Sequence, residues 1–127
     1  MVTSLDGEAK PATESWDRLL RQLAAHPRRR ILLGLLQSPD EHTVPLPEGA
    51  MPAEDAADPE RASIALRHHH LPSLAEAGYV RWSDAPFSVS RGPRFEEPEA
   101  FFRFVQGARD EFPDTLWSDT MEETFLP

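Results

Sequence analysis

Three consecutive histidines, residues 68–70, are the side chains of this chain most suited to metal chemistry, because neutral imidazoles are common zinc ligands. They lie in a segment with helical periodicity, where successive side chains point about 100° apart and cannot converge on one ion. Helical ligand pairs need i, i+4 spacing. A metal site would need His26 or His42 from elsewhere, so we predict no metal and no cofactor.

The helical wheel separates the first two of these histidines. His68 shares a face with the apolar Ile64 and Leu71, which predicts that it is packed with a hydrogen bond. His69 lies on the opposite side with Ala65, facing solvent or a partner.

Three arginines, residues 28–30, follow Pro27 at the expected start of a helix, where positive charge opposes the helix dipole. Compensation must come from acidic side chains, such as those within residues 54–60, or from phosphate. No glycine-rich phosphate loop, nucleophile beside a base or clustered carboxylates appear elsewhere, so we predict that the chain is not an enzyme.

The elements that position these residues are read from apolar spacing and from capping residues. One helix starts at a Ser15 cap and a second at Pro27, and an edge strand is expected at 43–46. The proline-rich stretch 47–59 leaves room for one or two helical turns at 52–56.

A longer helix runs from an Asp58 cap to Ala77 and ends on Gly78, with a kink at 68–71 caused by Pro72. A hairpin follows, with strands at 80–82 and 87–89 and a turn at 83–86, and a last helix covers 98–111.

Charge is unevenly distributed along the chain. The net charge is −9, with 22 acids against 13 basic residues, and Lys10 is the only lysine. This composition is typical of proteins of a salt-rich cytoplasm, although a GC-rich genome would also favour it. Without cysteine, neither disulfides nor thiolate metal sites can form. The absence of an apolar run suited to a signal peptide or membrane span favours a cytoplasmic protein.

Several motifs occur together in order. They are His-Pro-Arg-Arg-Arg at 26–30, Leu-Arg-His-His-His-Leu-Pro-Ser-Leu at 66–74, an Arg-Gly-Pro-Arg-Phe-Glu-Glu segment at 91–97 and Asp-Glu-Phe-Pro at 110–113. Over residues 15–115 the chain resembles a family of small, uncharacterised haloarchaeal winged-helix regulators, and its segment 70–80 resembles ArsR-type regulators. Two features depart from the family pattern: Arg67 stands where histidine is usual, and the second helix is rich in proline.

The resemblance implies an α+β, mostly α fold, a winged helix-turn-helix with a short β-hairpin wing and an added C-terminal helix. It implies a DNA-binding transcriptional regulator that reads double-stranded DNA. The exposed N-terminal half of the long helix would read bases, and arginines on and after the wing would contact phosphate or the minor groove. The DNA-binding residues expected on this basis are Arg61, Ala62, Ala65, His69, Arg81 and Arg91.

The phenylalanine-rich last helix is apolar on more sides than one packed face requires, which favours a homodimer. The expected dimerisation residues are Phe101, Phe102, Phe104, Val105, Ala108 and Phe112. Alternatively, this helix packs only beneath Trp16 and Leu20. The expected organisation is a disordered arm at 1–14, a winged-helix domain at 15–94, a dimerisation helix at 95–113 and an acidic tail at 114–127.

A rival interpretation is a winged-helix protein-protein interaction module that has lost DNA binding. Residues 95–127 contain nine acids and two arginines, whereas residues 16–94 contain ten of each. An acidic C-terminal third repels phosphate and suits a protein partner.

Overall fold

A computed structural model describes residues 2–39, 42–48 and 58–116 of the chain. The fold is α+β and mostly helical, with a small three-stranded antiparallel sheet, as the sequence predicted for its class. Helices are α1 (Val2–Leu23), α2 (His26–Gln37), α3 (Pro59–Ala65), α4 (Leu71–Glu76) and α5 (Glu96–Gly107), and strands are β1 (Val44–Pro45), β2 (Val80–Asp84) and β3 (Phe87–Arg91). A π-helical segment, Leu66–His70, joins α3 to α4, and we call these three segments together the long helix.

Helix α1 begins at Val2, so the prediction of a disordered arm over residues 1–14 and of a helix start at Ser15 is wrong. The segment before Ser15 contains good helix formers, including Glu8 and Ala9, and Pro11 is accommodated inside the helix. Capping potential at Ser15 did not decide the start, because a helix can continue through a residue that is also able to cap one.

Helix α2 starts at His26 after a short break at residues 24–25, with Pro27 in its first turn as predicted. The two helices on either side of this break contact each other. The predicted short helix at 52–56 lies outside the described residues, as does most of the acidic tail, of which only a 3₁₀ turn at Asp114–Leu116 is described.

The sheet has the strand order β1-β3-β2, so β1 with its Pro45 lies at an edge, as the sequence predicted. The predicted hairpin is confirmed, and its strands are longer than expected. Pairing continues to Asp84 opposite Phe87, which reduces the turn to residues 85–86.

The long helix enters the hairpin through Gly78, whose φ of +85° is the left-handed cap that the sequence predicted. The amide of Tyr79 donates to the carbonyl of Leu74 at 3.0 Å, which closes this C-terminal turn. Gly92 then lies against the same loop, because its amide donates to the Tyr79 carbonyl at 2.9 Å. The backbone at the start of β2 therefore contacts the backbone after β3 directly.

One apolar cluster joins α1, through Leu19, with α2, the long helix, the hairpin and α5. A polar network also ties α1 to α5 and the hairpin: the Tyr79 hydroxyl donates to Glu97 Oε1 at 2.9 Å, and Arg18 Nη2 donates to Glu97 Oε2 at 3.0 Å. Burial and the carboxylate raise the pKa of Tyr79 to about 12, so the phenol remains protonated and able to donate.

The last helix α5 ends at Gly107, and residues 109–111 form a 3₁₀ turn instead of continuing it to Glu111 as predicted. None of the helices within the described ranges has both the length and the apolar character that crossing a membrane requires.

Candidate nucleic-acid interface

The long helix contains an extra residue in its middle turn. The Leu71 amide donates to the Leu66 carbonyl, a five-residue step that defines the π segment. Pro72 is the cause, because it has no amide hydrogen and its ring clashes with the carbonyl of His68 four residues earlier. The regular helix is therefore interrupted where the sequence predicted a kink, and the interruption is a π turn over Leu66–His70.

This extra residue rotates the first half of the helix relative to the second. Leu66 and Leu71, joined by the five-residue step, both face the core. The prediction that His68 packs beside Ile64 is wrong, because His68 is exposed and Ile64 is 55 % exposed. His70 is the half-buried histidine, and burial together with Arg28 lowers its pKa, which favours the neutral ring.

The exposed row of the long helix consists of Arg61, Ile64, Ala65, His68 and His69, and we call it the reading face. It contains three of the predicted DNA-binding residues of this helix, Arg61, Ala65 and His69, whereas the predicted Ala62 is half-buried. The helix begins on a capped end, since Asp58 accepts a hydrogen bond from the Arg61 amide at 3.1 Å. The cap fixes the backbone from which Arg61 extends.

Ile64 and His68 were missed by the sequence analysis, although Pro72 carried a usable signal. A proline inside a helix frees the carbonyl four residues earlier, and a π turn is one way to absorb it. A helical wheel drawn separately for the residues that precede Pro72 places the side chains of Ile64 and His68 outward.

His69 has a different setting from the rest of the reading face. It lines a groove between α1 and the long helix that also contains the carboxylates of Glu14, Asp17 and Glu76 and the guanidinium groups of Arg18 and Arg21. A phosphate that approaches His69 would meet these carboxylates. The part of the reading face formed by Arg61, Ile64 and His68 is therefore more open to an anion.

Arg67 connects the long helix to the hairpin. Its Nε donates to Asp84 Oδ1 at 2.6 Å, and its guanidinium carbon lies 3.9 Å from the centre of the Phe87 ring. Trp82 packs edge-on against the same ring at 6.4 Å. Arg67 therefore holds the tip of the hairpin against the long helix.

Arg81 is exposed on β2, one residue beyond the buried Val80, and its side chain is open to a ligand. Arg91 is not. It is 14 % exposed, and its Nη2 donates to the carbonyls of Leu35 and Ser38, both at 2.9 Å.

The prediction that Arg91 contacts DNA is therefore corrected. Its Nη1 also pairs with Glu99 at 3.5 Å, and its guanidinium carbon lies 4.7 Å from the centre of the Phe95 ring. The guanidinium places a positive charge on the carbonyls at the C-terminal end of α2, where the helix dipole favours it. The sequence around Arg91 does not reveal this contact, since the carbonyls belong to residues more than fifty positions away.

Two of the three arginines at the start of α2 donate hydrogen bonds to uncharged groups. Arg29 Nη1 donates to the Leu23 carbonyl at the end of α1 at 2.7 Å. Arg28 Nη1 donates to Ser73 Oγ at 3.1 Å and to Gln22 Oε1 at 3.3 Å. These two side chains join α1, α2 and α4 through neutral acceptors and not through the acidic partners that the sequence predicted, of which residues 54–57 lie outside the described part of the chain.

The charge of this face is balanced. Across residues 58–84 there are three arginines, Arg61, Arg67 and Arg81, and four acids, Asp58, Glu60, Glu76 and Asp84. Arg67 is paired with Asp84, which leaves Arg61 and Arg81 as the cations best placed for an anionic ligand. Within residues 2–39, 42–48 and 58–116 no three histidine, aspartate or glutamate side chains are grouped to hold a metal ion.

The predicted dimerisation residues of α5 do not share one surface. Phe102 and Val105 are buried in the core of their own chain, which corrects their assignment to a dimer contact. Phe101, Ala108 and Phe112 are half-buried, and Phe104 is 69 % exposed. The apolar surface of α5, which covers more sides than one packed face requires, is divided between the core and solvent because the helix lies between α2 and α1.

Phe104 borders an apolar hollow of about 410 Å³ between α1 and α5, which Trp16, Leu19 and Phe101 also line. Trp16 is 55 % exposed at its rim. We call this the upper hollow.

The chain was compared with protein-family models, with curated proteins and with solved structures, and none of the three comparisons gives a match. A function for this chain must therefore be argued from its own surfaces.

Proposed function

We propose that this protein is a winged-helix DNA-binding regulator that acts as a homodimer in a salt-rich cytoplasm and has no enzymatic activity. The observation that carries the proposal is the exposed row of the long helix beside a hairpin pinned to it by Arg67. The element order α2, β1, long helix, β2, β3 and the sheet order β1-β3-β2 are compatible with a winged helix and support the proposal. In this proposal the long helix enters the major groove, and the hairpin is the wing.

The side chains of the reading face suit contacts with base edges. Arg61 can donate two hydrogen bonds to a guanine, and Ile64 and Ala65 can contact thymine methyl groups. His68 can donate to a base or a phosphate, and Arg81 is positioned for the backbone beside the wing.

Few cations face the DNA in this arrangement, which has a consequence for salt. Each phosphate contact contributes a slope of about −0.9 to the dependence of log affinity on log salt. With Arg61 on a base and Arg81 on a phosphate, each protomer contributes a slope of only about −1. Binding that rests on base contacts would persist in molar salt, where a basic DNA-binding face loses its advantage.

Replacing Arg61 with alanine is expected to weaken binding to the selected site about 5- to 150-fold, the effect of losing one bidentate base contact. Fluorescence anisotropy on a labelled duplex in molar KCl measures this, with a scrambled duplex as reference. The matched control is Arg103→Ala, which removes an exposed arginine of α5 that does not belong to the reading face. This control is expected to leave the affinity for DNA unchanged. Equal effects of the two substitutions would contradict the assignment of Arg61.

We place the dimer contact at the upper hollow, where Phe104 and Trp16 expose aromatic surface side by side. Phe104→Glu is expected to weaken dimerisation by a factor of about 30 or more, because central aromatic side chains contribute at least about 2 kcal/mol to an interface. Sedimentation velocity in molar KCl measures the dissociation. Gln106→Glu adds the same charge on the same helix and is expected to leave the dimer intact. A wild-type chain that sediments as a monomer in an assay at about 100 µM would rule the contact out.

A protein-protein interaction module without DNA binding is the second candidate. The near-neutral charge of residues 58–84 favours it, because most DNA-binding faces are clearly basic. A stable protein partner recovered with the full-length chain and resistant to nuclease, together with no affinity for any duplex, would decide for this candidate.

A further inference from the structure

A second apolar groove lies between α1 and α5, on the other side of Phe101 from the upper hollow. Its volume is about 340 Å³, and we call it the lower groove. It is lined by Leu20 and Leu23 of α1, Phe101 and Val105 of α5, and Phe112 and Leu116 of the segment after α5.

The lower groove is open to solvent. Leu20 is 54 % exposed and Leu116 is 55 % exposed, although both belong to its walls. Exposed apolar surface costs about 25 cal/mol for each Å² that a partner could cover, so a segment able to cover it gains free energy. A groove of this size takes large side chains and suits a ligand or a short peptide.

The chain itself supplies a segment at this place. Leu116 is the last described residue and lines the groove, so the eleven residues 117–127 follow directly after a residue of the groove wall. Fully extended, they span about 35 Å, far enough to follow the groove to Leu20. No linker has to cross the surface first, which keeps the entropic cost of docking low.

The sequence of this segment matches the groove. Trp117, Met121 and Phe125 recur every four residues, and in a helix this spacing would place them along one side. The charged residues of the segment are all acidic, Asp119, Glu122 and Glu123, and the charged side chain at the groove wall is that of Arg29. Molar salt screens this attraction strongly, so the apolar contacts must supply most of the affinity.

We infer that residues 117–127 dock in the lower groove of their own chain, with Trp117, Met121 and Phe125 against Leu20, Phe101 and Phe112. Docking covers the lower groove and leaves the upper hollow free for a second copy. The acidic side chains then lie along the outer side of the tail, away from the reading face. Docking of the tail and DNA binding are independent, since none of the residues that line the lower groove belongs to the reading face.

Disulfide trapping in the full chain tests the inference, because the natural sequence contains no cysteine. Leu20→Cys with Phe125→Cys is expected to form an intramolecular disulfide at least ten times faster than Gln106→Cys with Phe125→Cys. Gln106 is exposed on α5 and does not line the groove, and Phe125 follows Leu116 by nine residues, a reach of about 30 Å. Mass spectrometry under non-reducing conditions reports the product.

Equal trapping rates in the two cysteine pairs would overturn the inference, because a tail that reacts equally with both positions is not docked in the lower groove. A disulfide between two chains would also overturn it and would assign the groove to a second copy. Affinity for DNA is expected to be the same in the trapped and reduced forms, so this test and the test of Arg61 fail independently.

Tryptophan fluorescence gives a second measurement on the intact chain. With Trp16→Phe and Trp82→Phe, Trp117 is the only indole, and it is expected to emit as a shielded residue with weak acrylamide quenching. Adding Leu20→Asp, which puts a charge into the groove wall, is expected to raise the quenching constant several-fold. An indole that is fully quenched in the parent chain would contradict docking.

Discussion

Gly92→Ala is expected to lower the free energy of unfolding by about 3 kcal/mol. A methyl group at this position would lie 2.6 Å from the Gly78 carbonyl oxygen and 2.6 Å from the Val80 amide nitrogen. Both are backbone atoms, so relief requires moving a strand away from the end of the long helix, which breaks the 2.9 Å hydrogen bond from Gly92 to Tyr79. Urea unfolding followed by circular dichroism measures the loss.

Gly107→Ala is the matched control for this substitution. No atom lies within 4 Å of a methyl group built at Gly107, the last residue of α5. Alanine there is expected to be neutral or to stabilise by about 0.5–1 kcal/mol, because it lowers the entropy of the unfolded chain. If Gly92→Ala were as harmless as this control, the close approach of the two loops would be refuted.

Arg91→Met is expected to destabilise the protein by about 2–4 kcal/mol while leaving the salt dependence of DNA binding unchanged. Methionine keeps most of the apolar stem but removes the guanidinium donors to the Leu35 and Ser38 carbonyls and one of the two arginines that pair with Glu99. The loss of these charge-assisted hydrogen bonds in a largely buried place carries most of the cost. Thermal unfolding and anisotropy titrations at several salt concentrations give the two readouts.

Arg103→Met is the control, since Arg103 is exposed and pairs with the same Glu99 at 3.1 Å. An exposed i, i+4 pair contributes below about 1 kcal/mol, so a small loss is expected. A flatter salt dependence for Arg91→Met at unchanged stability would mean that Arg91 contacts phosphate after all.

The backbone matches the sequence prediction wherever a few neighbouring residues determine its conformation. Asp58 and Pro59 start the long helix, Gly78 ends it, and alternation of apolar and polar residues produces the hairpin. Each of these features depends on a few neighbouring residues, and the structure contains each of them.

The reading face was predicted only in part, because it depends on the phase of a helix that changes midway. Pro72 shifts the register between Leu66 and Leu71, which turns His68 outward and brings His70 to the half-buried side. A wheel with constant rotation cannot represent this change.

Long-range contacts explain the remaining errors. Arg91 looks like a surface arginine after a wing until α2 places its C-terminal carbonyls beside it. Phe102 and Val105 look available for a partner until α5 packs into the core. Both assignments depend on residues distant in sequence, which composition and periodicity do not specify.

The central claim, that the long helix reads DNA, is tested most directly by selecting ligands from a random duplex library with the full chain in molar KCl. The proposal predicts enrichment of a symmetric sequence whose two half-sites lie about one helical turn apart, and loss of that enrichment in Arg61→Ala. A library that shows no enrichment with the wild-type chain, or the same sequences with Arg61→Ala, would contradict it.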